Sequence, residues 1–249
     1  LLGRIYIMGT VSVLYRERKA KFHTVLLDAD QTLFDFNKSQ RLSLKAALQK
    51  NGYPWNEEMN ALYSKENLMV WKKFERGEIT KERLKIERFE NFFYKLGYKN
   101  ADIAAVNADY IFHLSQCGFT IDGADTLCRA LHGVCKLYIA TNGIQSVQER
   151  RLEKSNIKPY IDGMFISDVL GCQKPAKEYF AFIFHALQIA DKSGVIILGD
   201  SLTSDMQGGK NAGITTCLFD PEDTVRMPQP LCDFKITKLL DFLPIVFDA

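Results

Sequence analysis

Four short apolar runs, each stopping abruptly at polar or acidic residues, constrain the fold of this chain more than any other feature. The first begins at Phe22 and stops at Asp28, and the others are Lys136 to Ala140, Val195 to Leu198 and Thr215 to Phe219. Short β-branched and aliphatic runs of this kind are typical of buried strands. Helical patterns separate them, and this alternation predicts right-handed crossovers and a parallel sheet covered on both faces. The sequence therefore predicts a three-layer, Rossmann-like α/β core.

A long helical stretch interrupts this alternation after the first strand, and we interpret it as an inserted α-helical domain. Its apolar residues recur at helical spacing, and its runs end at glycines suited to a left-handed helix stop: Gly52, Gly77, Gly97 and Gly118. Side chains that favour helix N-caps precede three of the runs: Asn56, Thr80, and either Asn100 or Asp102.

The predicted domain organisation follows from these two patterns. Residues 21–38 and 117–249 form the α/β core, residues 39–116 form the helical cap, and residues 1–20 form an N-terminal tail outside the folded domain. The apolar start of that tail lacks a small-residue cleavage site, which argues against a secretory signal. No run approaches the ~18 uncharged apolar residues of a membrane helix.

The overall composition narrows the classes of partner. Lys and Arg total 32 against 30 Asp and Glu, a formal net charge of +2, so no basic field exists to hold a nucleic acid polymer or an anionic membrane. Six cysteines without a C-x-x-C pair argue against a zinc site and a disulfide scaffold. We expect a cytoplasmic protein with reduced thiols that binds a small molecule. The sequence carries no signal of its oligomeric state.

Acidic clusters follow the first and third of the apolar runs, in D-A-D-Q-T at residues 28–32 and G-D-S-L-T-S-D at residues 199–205. Ligands of a parallel sheet bind beyond the carboxyl ends of its strands. Carboxylates gathered at one point repel one another, and they take up protons or bind a cation. Mg²⁺ suits such a cluster, because it prefers oxygen ligands and can leave a position for a phosphate oxygen.

Asp28 and Asp30 are separated by one residue, so both would face the same side if the strand ran on straight. One carboxylate could then attack a substrate while the other reaches the leaving-group oxygen. This arrangement suits phosphoryl transfer in two steps through an aspartyl-phosphate. On its own, D-x-D-x-T fits an acidic strand-to-loop turn with Thr32 as a cap equally well.

Further polar residues have both a chemical and a structural interpretation. Thr141 and Asn142 follow a strand end, where a hydroxyl and turn amides can bind phosphate oxygens, although an ordinary T-N-G turn has the same sequence. The ammonium of Lys174 could neutralise a nucleophile and a phosphate together, and the alternative is a solvated surface lysine. Asp205 could instead cap a helix.

Taken in order, the segments D-A-D-Q-T, T-N, K-P and G-D-S-L-T-S-D resemble the four signature motifs of the haloacid dehalogenase (HAD) superfamily. The resemblance extends from Phe22 to the C-terminal region, and the helical insertion occupies the position of the family's C1 cap. It implies a Rossmann-like fold and a hydrolase that depends on Mg²⁺.

The resemblance also implies roles for individual residues. Asp28 would be the nucleophile and Asp30 the general acid and base. Mg²⁺ would be held by Asp28, the backbone carbonyl of Asp30, and Asp200, while Asp205 would orient waters and Lys174. The phosphate-binding residues would be Thr141, Asn142 and Lys174.

Gln31 departs from the common family form, which has glycine after the second aspartate. The substitution resembles the YjjG-type nucleotidases, whose motif runs D-A-D-E-T. Three further segments are similar to that subgroup: I-A-T-N-G-I-Q-S-V-Q-E-R-R-L-E, V-W-K-K-F-E-R-G-E-I-T and A-G-I-T-T-C-L-F. This likeness implies hydrolysis of pyrimidine nucleoside 5'-monophosphates, small-molecule phosphate esters.

Several alternatives stay open because the core motifs contact only the phosphate and the metal. A sugar-phosphate or phosphoglycolate phosphatase and a β-phosphoglucomutase-like phosphomutase would share them. A haloacid dehalogenase needs neither a leaving-group acid nor a metal, and a silent binding module would have lost a motif residue, so both are disfavoured. Cap residues must choose the substrate, and the candidates to meet a base or sugar are Asn67, Arg88 and Trp71, the last of which also fits a core position.

Overall fold

The computed structural model describes residues 19–247, so the predicted tail lies outside the described residues except for Lys19 and Ala20. Its central element is a six-stranded sheet with the strand order β3-β2-β1-β4-β5-β6. Every neighbouring pair of strands runs parallel, which confirms the predicted parallel α/β core. The strands are β1 (Thr24–Leu27), β2 (Lys136–Thr141), β3 (Gly163–Ile166), β4 (Val195–Gly199), β5 (Thr215–Phe219) and β6 (Phe234–Ile236).

Helices connect the strands in the expected alternation, and four of them follow β1 in succession. These four are α1 (Phe36–Lys50), α2 (Glu57–Glu75), α3 (Lys81–Lys95) and α4 (Ile103–Ser115). The others are α5 (Ala124–Leu131), α6 (Gln145–Glu153), α7 (Ser167–Leu170), α8 (Lys177–Ala186), α9 (Gln207–Ala212) and α10 (Leu243–Val246). Short 3₁₀ turns lie at Lys158–Tyr160 and Leu239–Phe242, and a π-helical turn lies at Leu202–Met206.

The strand order creates a crevice beside β1. From β1 the chain moves outward through β2 and β3 on one side, and then returns to build β4, β5 and β6 on the other. The connections that leave β1 and β4 therefore lead toward opposite edges of the sheet. Open α/β sheets bind their ligands at such a point. Leu27 pairs with Leu198 at this point, and the Asp28 amide donates to the Leu198 carbonyl at 2.9 Å. The residues after β1 and β4 are therefore neighbours.

Both faces of the sheet are covered, as the near-continuous apolar strands require. Leu26 and Ile197 belong to one core cluster together with Phe180 of α8. Val25 and Ile196, their chain neighbours, are equally inaccessible to solvent. Because successive side chains of a strand point to opposite faces, burial of both sets places apolar packing on each side of the sheet.

The chain divides into two compact units. The first contains the sheet and comprises the described residues through Asp35, Thr120–Gln145, and those from Ser155 onward. The second comprises Phe36–Phe119, which contains helices α1 to α4, together with Ser146–Lys154 from α6. The second unit overlaps the predicted cap, and the domain boundaries drawn from the sequence stay predictions.

The helix ends of the second unit follow the capping signals in the sequence, with one exception. The side chains of Asn56, Thr80 and Asp102 each accept a hydrogen bond from a backbone amide three residues on, so of the two alternatives Asp102 is the cap. Left-handed glycines follow the first three helices: Gly52, Gly77 and Gly97. Gly118 is not among the positive-φ glycines, because α4 already ends at Ser115.

Two further predictions from the sequence concern reduced thiols and membrane-spanning helices. All six cysteines are free, and all but Cys172 are buried. Burial raises the pKa of Cys128 and of Cys135 to about 12, so these thiols stay protonated near neutral pH. Within the described residues, no helix has both the length and the apolar character needed to cross a membrane.

Helix α8 offers a matched test of the core. Phe180 is fully buried against the sheet, whereas Phe182, two residues along, is 47% exposed. Phe180→Ala should lower the free energy of unfolding by about 3–5 kcal/mol through lost burial and a cavity, and Phe182→Ala should lower it by less than about 1 kcal/mol. Urea denaturation of both variants checks this, and equal losses would contradict the described packing.

Candidate active site

Residues predicted from separate motifs meet at the carboxyl edge of the sheet. Asp28 follows β1, and Asp200 follows β4. Lys174 arrives from β3 by way of α7 and Gly171, which has a φ of 68°. The Lys174 side chain runs inward and is 1% exposed, which excludes the alternative of a solvated surface lysine.

The ammonium of Lys174 forms three hydrogen bonds. Its Nζ lies 2.6 Å from Asp28 Oδ1, 2.6 Å from Asp205 Oδ1 and 2.6 Å from the Ala140 carbonyl oxygen. A lysine ammonium has three N–H donors, so all three are satisfied by the protein. The lysine therefore bridges two carboxylates and ties them to the end of β2.

Burial and mutual repulsion make the carboxylates reluctant to ionise together. Burial raises the pKa of Asp28 to about 7, with Lys174 opposing the rise and Asp205 and Asp30 adding to it. Although Asp200 is exposed to solvent, desolvation by the surrounding protein and then the Asp28 charge raise the pKa of its carboxyl well above the ordinary value. Burial alone would lower the pKa of Lys174, but Asp205 and Asp28 raise it, so the ammonium stays charged.

Asp205 is held inside the protein by a glycine as well as by the lysine. It is fully buried, and its Oδ2 accepts a hydrogen bond from the Ser201 amide at 3.1 Å. A Cβ atom at Gly199 would lie 2.3 Å from Asp205 Cγ, so only glycine leaves room for this carboxylate. Ser201, rather than Asp205, caps the following π-helical turn, which excludes the helix-cap interpretation of Asp205.

Three carboxylates are close enough to share one cation. Oxygens of Asp28, Asp200 and Asp205 all lie within 4.8 Å of one another, while Lys174 supplies a single compensating charge. Hard oxygen donors with excess negative charge fit Mg²⁺. Both oxygens of Asp205 already accept hydrogen bonds, Oδ1 from Lys174 and Oδ2 from the Ser201 amide, whereas Lys174 bonds only Oδ1 of Asp28. The carboxylates best able to hold the ion are therefore Asp28 and Asp200. Metal binding by these two carboxylates stays a prediction.

Asp30 lies on a tight turn rather than on a continued strand. The Ala29 carbonyl accepts from the Leu33 and Phe34 amides at 3.0 and 2.8 Å, and β1 has already ended at Leu27. The strand therefore does not run on straight through Asp30, and the strand-to-loop turn, the alternative considered from the sequence, is the observed backbone path. The Asp30 side chain is outside the three-carboxylate cluster, although its charge contributes to the raised pKa of Asp28.

Gln31 has a φ of 59°, in the left-handed region where a side chain costs about 1 kcal/mol relative to glycine. This backbone geometry explains why glycine suits the position. The Gln31 amide donates to the Phe34 carbonyl at 2.9 Å and closes the turn. Thr32 does not act as the cap considered from the sequence, because its buried hydroxyl has no hydrogen-bond partner.

The residues after β2 are fixed by local hydrogen bonds. Thr141 Oγ1 accepts from the Gly143 amide at 3.0 Å. The Asn142 side chain bonds the backbone of Lys174, donating to its carbonyl and accepting from its amide, both at 2.9 Å. In this structure Asn142 therefore orients the lysine segment, and phosphate binding by Thr141, Asn142 and Lys174 stays a prediction.

The candidates for substrate contact in the helical unit form part of its interior. Asn67 and Arg88 are 3% and 1% exposed, and the Arg88 guanidinium donates to Asn67 Oδ1 at 3.4 Å and to Asn107 Oδ1 at 2.9 Å. Trp71 packs edge-to-face on Phe74. The terminal nitrogens of Arg88 and the carboxamide of Asn67 are therefore bonded to protein partners, although Arg88 Nε is buried without one. The core interpretation of Trp71 is favoured.

Two residues near the site were missed in the sequence. Gly199 was quoted within a motif without a reason for its identity, and the reason is the contact with Asp205. Asn211 was not singled out, although its side chain bonds the Pro175 carbonyl at 3.0 Å. Gly199 and Asp205 lie within one motif, but its letters do not reveal how closely they approach. The contact of Asn211 with Pro175 joins residues 36 positions apart, so no local pattern signals it.

Comparisons with known proteins identify the family of the chain. Residues 22–213 match the family model for haloacid dehalogenase-like hydrolases. The chain is 33% identical to the HAD-hydrolase YfnB of Bacillus subtilis over 91% of this chain and 96% of YfnB. It is 33% identical to the pyrimidine 5'-nucleotidase PynA of Streptococcus pneumoniae over 88% of this chain and 92% of PynA.

Two further likenesses extend this result. The pyrimidine 5'-nucleotidase YjjG of Escherichia coli is 31% identical over 79% of this chain and 85% of YjjG. The crystal structure of B. subtilis YfnB bound to magnesium superposes with a TM-score of 0.85 and 33% identity, over 91% of this chain and 99% of YfnB. The resemblance found in the motifs is thereby confirmed, and the chain belongs to the haloacid dehalogenase-like hydrolases.

Proposed function

We propose that this hydrolase is a Mg²⁺-dependent phosphatase that cleaves pyrimidine nucleoside 5'-monophosphates through an aspartyl-phosphate on Asp28. The observation that carries the proposal is the buried ion pair of Asp28 and Lys174 within a cluster of three carboxylates. The relatives PynA and YjjG, both pyrimidine 5'-nucleotidases, support the substrate class. The buried free thiols fit the predicted cytoplasmic setting.

In the first step an Asp28 carboxylate oxygen attacks the phosphorus, and the bond from phosphorus to the 5' oxygen breaks. Asp30, as a carboxylic acid, donates its proton to that oxygen, and the nucleoside leaves. Lys174 favours the charged form of Asp28 and orients the carboxylate through the 2.6 Å ion pair. Phosphate binding by Thr141 and the loop after β2 would hold the reacting group in line.

In the second step Asp30, now a carboxylate, takes a proton from water as the water oxygen attacks the phosphorus. The bond between phosphorus and Asp28 breaks, which regenerates the carboxylate and releases inorganic phosphate. Mg²⁺ held by Asp28, the Asp30 carbonyl and Asp200 would neutralise charge on the carboxylates and the phosphate. Magnesium in the related YfnB structure supports this choice of ion.

Asp28→Asn should abolish turnover and leave the fold nearly intact. The variant loses the attacking oxygen, while Lys174 keeps its bond to Asp205. Loss of a nucleophile costs several orders of magnitude, so we expect less than about 1% of wild-type kcat. The matched control is Asp168→Asn, an exposed carboxylate after β3 that caps α6. Near-normal phosphate release by Asp28→Asn would rule out this nucleophile.

Metal removal tests the carboxylate cluster. A chelator should eliminate phosphatase activity, added Mg²⁺ should restore it, and Ca²⁺ should not. Ca²⁺ takes more ligands at longer distances, which would misplace Asp28 relative to the phosphorus. Phosphate release is measured in metal-free buffer with each ion in turn. Undiminished activity in excess chelator would show that the cluster does not serve a catalytic metal.

Asp30→Asn should discriminate between leaving groups. A nucleoside alkoxide needs a proton as it leaves, and p-nitrophenolate does not. The variant should therefore form the phosphoenzyme slowly from UMP but readily from p-nitrophenyl phosphate, and then hydrolyse it slowly in either case. Stopped-flow absorbance should record a nitrophenol burst near one equivalent per site. Equal rate losses on both substrates without a burst would remove Asp30 from the acid and base role.

The substrate class is tested by a panel of phosphate esters. UMP, dUMP and dTMP should have kcat/KM values at least about tenfold above those of AMP, GMP and hexose phosphates, because a site that hydrogen-bonds one base leaves polar groups unpaired with another. Wild-type enzyme is assayed by phosphate release under one set of conditions. A preference for phosphoglycolate, or conversion of β-glucose 1-phosphate to glucose 6-phosphate, would contradict the nucleotidase proposal and favour a phosphoglycolate phosphatase or a phosphomutase instead.

A further inference from the structure

Two asparagine side chains from different parts of the fold form hydrogen bonds with the backbone of the segment that carries Lys174. On one side Asn142, after β2, bonds the Lys174 carbonyl and amide at 2.9 Å each. On the other side Asn211, on α9, donates from Nδ2 to the Pro175 carbonyl at 3.0 Å. Both peptide carbonyls of the Lys174–Pro175 pair are therefore held by carboxamides.

The orientation of each carboxamide is determined by its partners. The Lys174 amide can only donate and its carbonyl can only accept, so Asn142 must present Oδ1 to the first and Nδ2 to the second. The Pro175 carbonyl can only accept, so Asn211 must present Nδ2 to it, and Asn211 Oδ1 is then free to accept from Gln207 Nε2 at 2.8 Å. A rotated carboxamide would set like groups against each other in both places.

Close packing against helix α9 also restrains the lysine segment. A Cβ atom at Gly208 would lie 3.2 Å from Pro175 Cα and 2.7 Å from a Phe180 ring carbon, so α9 approaches the lysine segment closely. The Ala176 amide donates to the Gln173 carbonyl at 2.9 Å and closes the turn around the segment. The backbone from which the Lys174 side chain departs is thus fixed on both sides.

We propose that Asn142 and Asn211 act as a clamp that positions the Lys174 ammonium for phosphoryl transfer. Lys174 must reach Asp28, Asp205 and the Ala140 carbonyl at once, and a small backbone shift would lengthen at least one of these bonds. Neither asparagine is a catalytic residue in this role, since each acts through the lysine backbone. The inference rests on the proposed function, because the clamp matters to the rate only if Lys174 serves the reaction.

Asn211 provides the cleaner test of the two. Asn142 is itself a predicted phosphate-binding residue, whereas the two Asn211 side-chain hydrogen bonds go to Pro175 and Gln207. Alanine is also the best helix former, so Asn211→Ala should be compatible with α9. The matched control is Asn91→Ala on helix α3, the same change at a part-buried helical site without a bond to the lysine segment.

We expect Asn211→Ala to lower kcat for UMP about tenfold with KM changed less than about twofold, because an ammonium aimed at developing charge stabilises the transition state more than the bound substrate. Inhibition by orthovanadate, a transition-state analogue, should weaken by the same factor, and inhibition by inorganic phosphate should change little. Gln207→Ala should show a smaller effect in the same direction, since it frees the Asn211 carboxamide to rotate. Asn91→Ala should match the wild type.

A double-mutant cycle shows whether Asn211 acts through Lys174. In a Lys174→Met background, with p-nitrophenyl phosphate as an activated substrate, Asn211→Ala should cause no further loss if the two act as a unit. Should Lys174→Met not fold, the difference between orthovanadate and phosphate inhibition of the single variant still decides the matter. A purely structural role would lower the melting temperature and weaken both inhibitors alike.

The outcomes separate this inference from the proposed function. A wild-type enzyme without activity on any phosphate ester would overturn both. An active wild type whose Asn211→Ala variant keeps full kcat and full orthovanadate affinity would overturn the clamp alone. Multiplicative losses in the double-mutant cycle would likewise contradict action through Lys174.

Discussion

The rest of the site depends on one buried ammonium that binds two carboxylates. Lys174 is inaccessible to solvent and holds Asp28 and Asp205 at 2.6 Å each, and removal of one partner from such a pair leaves a buried charge uncompensated. The strand order and two neighbouring residues allow this arrangement to form. The strand order brings β1 beside β4, Gly199 makes room for Asp205, and the Ala140 carbonyl takes the third donor of the ammonium.

The cluster has an excess of negative charge, which favours the binding of a cation. One ammonium cannot neutralise three clustered carboxylates, and the pKa of Asp28 rises to about 7 as burial and neighbouring charges oppose ionisation. A divalent ion at Asp28 and Asp200 would supply the missing charge and make Asp28 an anion at neutral pH. Repulsion among the carboxylates would destabilise the cluster without a cation. The same repulsion therefore favours a site that binds Mg²⁺ together with a phosphate ester.

Much of the core was predictable because its signals are local. The run V-I-I-L before Gly199 identifies β4, and Asn56 and Thr80 cap the helices that they precede. By contrast, β6 has only three residues with Lys235 at its centre, so no apolar run marks it. The turn after Asp28 was only one of two alternatives in the sequence, because hydrogen bonds to Ala29, rather than strand periodicity, set its path. The Asn142 contact with Lys174 joins residues 32 positions apart, and no pattern along the chain encodes it.

Chemical trapping shows whether Asp28 receives the phosphoryl group. Wild-type enzyme turning over p-nitrophenyl phosphate with Mg²⁺ is quenched within milliseconds and treated with borohydride, which reduces an acyl phosphate to an alcohol. The account predicts homoserine at position 28 in the peptide mass spectrum, with Asp30 and Asp200 unchanged, and none in a sample without substrate. Unmodified Asp28 under conditions of rapid turnover, or homoserine at another aspartate, would contradict it.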